Sequence, residues 1–396
     1  MQTTETFRGS SRMRIAVTGA VGFFVLGVLI SVMGPTLPEL RSRHGLDATG
    51  GAMLLAAYSV GSAVGVGIAG WLRHRAPIQR LLSLGALGLA VGSAGVPAAP
   101  NALAAGTCLF VAGLGLGVVD LLLNLLLARA FGGGSGAVLI AVSATFGVSA
   151  VLTPLIVGRE PADLTLPYLL SAGGAVLLLA LTATLRAAPT FAAAGRRATR
   201  EELRLMLLLG GVLLGYVAFE AGVASWETTH LRDAAGMSAG GAANAVALFW
   251  LGVTVGRLAS APLALRWHPG RLALTAMALG TATVAAAAYT PYAVAAYAVT
   301  GLVVAPVFPA VISWHARAVP SSRGATRMFA AGLAGPVVGA PLLGVAADAT
   351  ETRAVPWVLA AFGLATALAA LVCYRRAETD APVSAPNTGA AEAVPR

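Results

Sequence analysis

The residues of this sequence that could do chemistry are ionisable side chains set inside long apolar runs. An acid held away from water costs several kcal/mol as an ion, so it changes charge when water, a cation or a proton reaches it. Asp120 stands in GLGLGVVDLLLNLLLARA at 113–130, nine residues before Arg129 and so roughly 13 Å from the charged end of its helix. Asn124 follows one turn later on the same face. Glu220 stands in YVAFEAGVASW at 216–226, with Tyr216, Val223 and Glu227 extending its face at helical spacing. A carboxylate that can be neutralised by desolvation and reionised is what proton coupling requires, so Asp120 and Glu220, one from each half, are the expected proton-coupling residues, and the alternative is that each only hydrogen-bonds a neighbouring helix. Asn124, Tyr216, Asn244 and Trp250 are the candidate solute contacts, although Asn244 could equally satisfy backbone. Trp226 reads as an interface anchor. Arg257, nine residues before Arg266, is expected to snorkel or to make a gating contact near one surface, with Arg75 and Arg266 as further gating candidates. His44, His74, His230, His268 and His315 fall in or beside loops, which argues against a metal site or a buried histidine relay. Cys108 and Cys373 lie in apolar runs and behave as small hydrophobes, and no cofactor is expected.

The elements that must position these groups follow from composition. Of 396 residues, 57% are hydrophobic and 11% charged, which leaves too little polar surface for a soluble protein. A bilayer core of about 30 Å needs roughly 20 apolar residues in a helix. Twelve such runs occur, at 15–37, 50–72, 78–99, 102–127, 137–158, 166–185, 205–227, 241–264, 271–290, 292–313, 325–347 and 355–374. Spans 3 and 4, and 9 and 10, are separated by only a few residues, which predicts tight hairpins. The basic residues number 26 against 16 acidic ones, and every one is Arg. With the N-terminus inside, the inner segments hold twenty Arg and the outer loops five, with Arg257 within span 8, so both termini are expected in the cytoplasm. The charge is then a topology signal, and no nucleic-acid partner is expected. The expected division is a cytoplasmic N-terminus at 1–14, a six-helix half at 15–185, a linker at 186–204, a second half at 205–374 and a disordered tail at 375–396. An offset of 191 pairs Arg41 with Arg232, Gly45 with Gly236, Gly50 with Gly241, Gly61 with Gly252, Gly65 with Gly256, Arg75 with Arg266 and Arg80 with Arg271, the mark of a duplicated half. Pro306 and Pro309 in span 10, and Pro336 and Pro341 among the glycines of span 11, suit bendable or closely packed helices.

Several stretches resemble the major facilitator superfamily and, within it, the fucose permease-like branch. GWLRHRAPIQRLL at 70–82 is a degraded form of the superfamily's loop between spans 2 and 3, keeping Gly70, Leu72 and Arg75 but carrying His74 and Pro77 where an acid and a glycine belong. The glycine-rich span 4, YVAFEAGVASW, FWLGVTVGR at 249–257 and APVFPAV at 305–311 are similar to the branch. The resemblance implies an all-α fold of twelve transmembrane helices in two pseudo-symmetric halves, and proton-driven movement of a small, often sugar-like solute by rocking of the halves. It places Asp120 at the branch's span-4 acid and Asn124 at its polar neighbour. The branch also uses a span-1 acid, and 15–37 has none, which leaves Glu220 as the candidate substitute. The expected partners are a small-molecule substrate, protons and membrane lipid, and the expected state is a monomer in the cytoplasmic membrane. An efflux pump for an amphipathic metabolite is the alternative, and a non-transporting sensor a lesser one. An enzyme is not expected: no phosphate-binding Gly-Lys-Ser/Thr loop and no cluster of nucleophile, ligands or paired acids is seen.

Overall fold

The computed structural model describes residues 9–131, 135–185, 199–318, 328, 331, 332, 334–350 and 352–379. Most of the expected linker, the tail beyond 379, and Arg8, Arg186, Arg196, Arg197, Arg323, Arg327 and Arg396 lie outside the described residues. The first six-helix half comprises α1 (Gly9–His44), α2 (Ala48–Leu72), α3 (Ile78–Gly95), α4 (Ala102–Phe131), α5 (Ser135–Arg159) and α6 (Thr165–Thr184). The second comprises α7 (Arg200–Asp233), α8 (Ala239–Ala259) with its short extension α9 (Ala261–Arg266), α10 (Pro269–Ala286), α11 (Ala293–Val304) with α12 (Val307–Ala318), α13 (Gly335–Thr350) and α14 (Val355–Thr379). Nine of the described helical stretches are long and apolar enough to cross a membrane, and α5, α10 and α13 complete the twelve.

Local chemistry sets where these helices start and stop. α7 begins at Arg200, inside the stretch expected as linker, because Thr199 and Glu202 form a reciprocal capping box. Span 10 is two helices, α11 and α12, parted at Pro306, whose ring removes a backbone donor. α1 continues to His44 and ends at Gly45, and α7 ends just before Gly236. These two glycines have φ of 61° and 66°, the left-handed region that ends a helix without a Cβ penalty. They are partners at the 191-residue offset. So are the next helix caps: Asp47 accepts from the Gly50 amide, and Ser238 from the Gly241 amide. The duplication is therefore visible as matched backbone geometry, in addition to matched letters.

Small residues let the helices of each half meet backbone to backbone. A Cβ on Gly61 or Gly65 of α2 would strike the Phe110 or Leu114 carbonyl of α4, and one on Gly113 or Gly117 of α4 would strike the Tyr58 or Ser62 carbonyl of α2. The second half repeats this with Gly252 and Gly256 of α8 against the carbonyls of Ala298 and Leu302 in α11. In an apolar solvent, such close packing supplies the cohesion that the hydrophobic effect supplies in water. The halves meet along α1 with α7, α2 with α13 and α5 with α8. The last two are the same junction under the repeat. The end of the bundle holding Gly45 and Gly236 is called below the Gly45 end, and the opposite one the Arg75 end.

One added methyl group should have opposite effects at two sites in α2 and α4. Gly117→Ala should lower stability by about 1–3 kcal/mol through overpacking, while Gly67→Ala, where nothing lies within 4 Å of the new Cβ, should raise it by roughly 0.5–1 kcal/mol. Thermal unfolding of the two purified variants in one detergent checks the sign of each.

Candidate functional site

Asp120 and Asn124 sit on one edge of α4, continuing the line of Gly113 and Gly117 that meets α2. Both are partly exposed, while Leu116 to Val119 and Leu121 to Leu123 of the same helix are buried. The Asn124 Nδ2 donates to Asp120 Oδ1 at 2.9 Å and to the Asp120 carbonyl at 2.9 Å, so the amide orients the carboxyl as the one-turn spacing predicts. The Tyr58 hydroxyl of α2 is buried without a hydrogen-bond partner among the described residues. Tyr168 of α6 meets Thr36 of α1 at 3.2 Å behind this group.

The second half supplies a different set. The Tyr216 hydroxyl donates to Glu220 Oε1 at 2.7 Å, four residues along α7, and Arg257 of α8 approaches the same oxygen at 3.7 Å. The Glu220 side chain is 14% exposed and that of Arg257 38%. Of the two readings of Arg257, snorkelling or a gating contact, the first does not describe the side chain, whose guanidinium lies against the Glu220 carboxylate. Two of the proposed site residues are thereby joined to a third. Arg75 is exposed and lies over the Trp71 ring at 4.0 Å, and Arg266 is exposed at the end of α9. Both stay apart from the buried groups.

Trp250 and Asn244 line the α5–α8 junction between the halves. Trp250 is 3% exposed and makes edge contacts with Phe146 of α5 and with Phe249, at ring separations of 5.8 and 5.4 Å. Asn244 abuts Gly158 near the end of α5. Trp226 is fully buried, which corrects its reading as an interface anchor: its ring faces into the bundle, where no headgroup reaches.

The surroundings of three further residues are not evident from residue order. His230 is not a loop residue: it lies within α7, is 0% exposed, and its Nδ1 meets the Tyr297 hydroxyl of α11 at 3.0 Å. Glu227, one turn earlier on the same face, is also 0% exposed, and neither carboxyl oxygen has a hydrogen-bond partner among the described residues. The three-residue spacing of Glu227 and His230 was the available signal, hidden because α7 runs a turn and a half further than its apolar stretch. The third is Asp348 at the end of α13, whose two carboxyl oxygens accept from the Ala48 amide at 2.9 Å and the Thr49 amide at 2.7 Å. A carboxylate thus closes the positive N-terminus of α2 across the boundary between the halves. Hydrogen bonding by Thr49 holds the Asp348 carboxyl below its ordinary value, with the Ala48 amide and the Arg41 charge acting in the same direction. At the repeat-related junction, Gly240 of α8 meets the Gly158 carbonyl of α5 by packing alone.

A family model described as the Major Facilitator Superfamily matches residues 19–332. Solved structures show the same fold at low identity. A mutant form of the nucleoside transporter NupG aligns with TM-score 0.74 at 13% identity, covering 92% of this chain and 100% of that one. A D-xylose-proton symporter aligns with TM-score 0.75 at 15% identity, covering 92% and 97%. FucP, a major facilitator transporter in the outward conformation, aligns with TM-score 0.64 at 16% identity, covering 92% and 99%. No curated protein matches the chain.

The geometry predicts that Glu220 and Arg257 are energetically coupled. In a double-mutant cycle of Glu220→Gln and Arg257→Gln, the coupling should be roughly 0.5–1 kcal/mol, since the pair is partly exposed. Thermal stability of the four proteins measures it, and additive effects would show that the two side chains act separately. The Asp348 contact carries its own pH dependence. Because its carboxyl is held low in the closed arrangement, the contact is complete above the ordinary carboxylate range of about 4 and is lost as pH falls below it. Asp348→Ala should part α2 from α13 at neutral pH, seen as a longer distance between spin labels at Met53→Cys and Val345→Cys.

Proposed function

This chain belongs to the Major Facilitator Superfamily, and from that we propose that it is a proton-coupled secondary transporter of a small polar solute, sugar-like or nucleoside-like, working by alternating access between two six-helix halves. The observation that carries the reading is the pair of polar sets within otherwise apolar spans, Asp120 with Asn124 in one half and Tyr216, Glu220 and Arg257 in the other. Each set holds a carboxylate together with hydrogen-bonding groups, which is the equipment for orienting hydroxyls and for taking up a proton. The structural neighbours that move xylose with protons, or nucleosides, support the solute class. Asp120 is the proposed proton carrier, with Asn124 and Tyr216 as solute contacts and Trp250 and Asn244 beside them at the seam. Glu220 is held by Arg257.

In this reading the Arg75 end is cytoplasmic, as are both termini, and the protein works as a monomer in the cytoplasmic membrane. The described inter-half contacts run from mid-depth, at Gly147 with Thr254, to the Gly45 end, where Gly34 meets Ala224, Gly344 meets Ala52 and Asp348 caps α2. That distribution supports a state shut toward the outside. A second reading, export of an amphipathic solute, is favoured by the aromatic group of Phe146, Phe249 and Trp250 on the seam, which offers an apolar ring a stacking surface.

The test is proton movement in proteoliposomes under an imposed pH gradient, with pentoses, hexoses, nucleosides and amphipathic amines supplied in turn. A sugar- or nucleoside-dependent proton flux is expected. Flux with the amines alone would replace this reading by the second. Asp120→Asn should abolish proton-driven accumulation while sparing exchange of labelled for unlabelled solute, and unchanged accumulation would remove Asp120 from the coupling.

A further inference from the structure

Glu227 is a carboxyl group sealed inside protein with nothing among the described residues to hold its charge. It is 0% exposed, and Trp226, Thr228, Thr229 and His230 around it are each no more than 1% exposed. Their side-chain polar atoms Trp226 Nε1, Thr228 Oγ1, Thr229 Oγ1 and His230 Nε2 also lack hydrogen-bond partners. His230 cannot supply a compensating ion pair, because its Nδ1 is engaged by Tyr297 and its Nε2 meets no acceptor.

The charged and titratable groups on α7 and on the elements packed against it are spent elsewhere or distant. On α7 itself, Arg232 and Asp233 are exposed. On α1, Glu39 and Arg43 pair with each other at 3.9 Å, Arg41 donates to the Asp47 carbonyl, and His44 stands at the very end of the helix. On α8, Arg257 pairs with Glu220 seven residues deeper along α7. On α13, Asp348 binds the α2 amides, and Arg353 in the short turn after α13 is exposed. On α11 the group is Tyr297 itself. His315 on α12, and Cys373, Tyr374, Arg375 and Arg376 on α14, lie at the opposite ends of their helices. An anion at Glu227 would therefore be a buried, uncompensated charge, which costs several kcal/mol.

The position of Glu227 gives this cost a mechanical meaning. Ala224, three residues before it on the same face, is where α7 meets Gly34 of α1, backbone against side-chain-free backbone. That contact joins the two halves at the Gly45 end. We propose that Glu227 is a proton-binding site that must be filled before the Gly45 end can shut. With α7 parted from α1, the carboxylate faces water. A hydronium ion gives it a proton, leaving a neutral acid and a water molecule, and the neutral side chain can then be buried. Reopening returns the proton from the carboxyl oxygen to water. Closure thus reads the proton concentration on that side of the membrane, at a site separate from Asp120 and Glu220. Only the biological use of the site rests on the transporter reading, since the site itself follows from burial and contact.

The experiment is a distance measurement on the full chain in liposomes, with spin labels at Met53→Cys and Val345→Cys, across pH 5 to 9. In the otherwise unaltered protein, the ratio of shut to open Gly45 end should fall about tenfold per pH unit above its transition, as uptake of one proton dictates. Glu227→Gln keeps the shape without the charge and should stay shut across the range. Glu227→Leu is the second variant, should the first not fold, and should also stay shut. His230→Phe should keep the pH dependence. A ratio independent of pH in the unaltered protein, or a Glu227→Gln or Glu227→Leu protein that opens with rising pH as the parent does, overturns the proposal. A protein that shuts on protonation but moves no proton with any solute upholds this site and sinks the transporter reading instead.

Discussion

The structure depends on one constraint: a charge inside apolar surroundings must be neutralised, paired or bound by backbone dipoles. The carboxyls of the described residues meet this constraint in different ways. Glu220 is paired with Arg257, Asp120 is oriented by Asn124 on its own helix, and Asp348 sits on the amides that open α2. Glu227 has none of these and is buried all the same, which makes its protonation and the closing of the helices around it one event.

The apolar part of the molecule makes such events possible by being rigid. Paired glycine contacts lock α2 to α4 and α8 to α11 within their own halves, and separate contacts form the seams between the halves. Those seams are built by α1 with α7, α2 with α13 and α5 with α8. Two seams are copies under the repeat, yet they are fastened differently. One carries the Asp348 carboxylate on a helix N-terminus, the other only the fit of Gly240 to Gly158. The carboxylate contact weakens in acid, and a buried Glu227 weakens closure in base, so the two acids bound the pH range in which the Gly45 end is shut from opposite sides.

Much of this was legible from residue order. Runs of about 20 apolar residues mark spans because a helix must satisfy its backbone within the membrane. The 191-residue offset marked the duplication, and the paired left-handed glycines at 45 and 236, followed by side-chain caps at 47 and 238, are its structural record. The Asp120–Asn124 bond was readable because helical spacing alone brings residues four apart together.

Contacts between helices were not readable in this way. Nothing in the spacing of Glu220 says that Arg257, thirty-seven residues later, turns back to it, and hydropathy sent that arginine toward a surface. Trp226 and His230 were placed at an interface and beside a loop because the apolar run ends near them, while α7 itself continues to Asp233 and turns both side chains into the bundle. Asp348 follows directly on an apolar run, and only the fold lays the start of α2 against it. The sequence by itself determined the spans, the repeat and the in-helix pair, because hydropathy and helical periodicity are local properties. The tertiary structure alone decided which acids are paired, capped or stranded, because the partner of a buried charge is set by which helix faces meet.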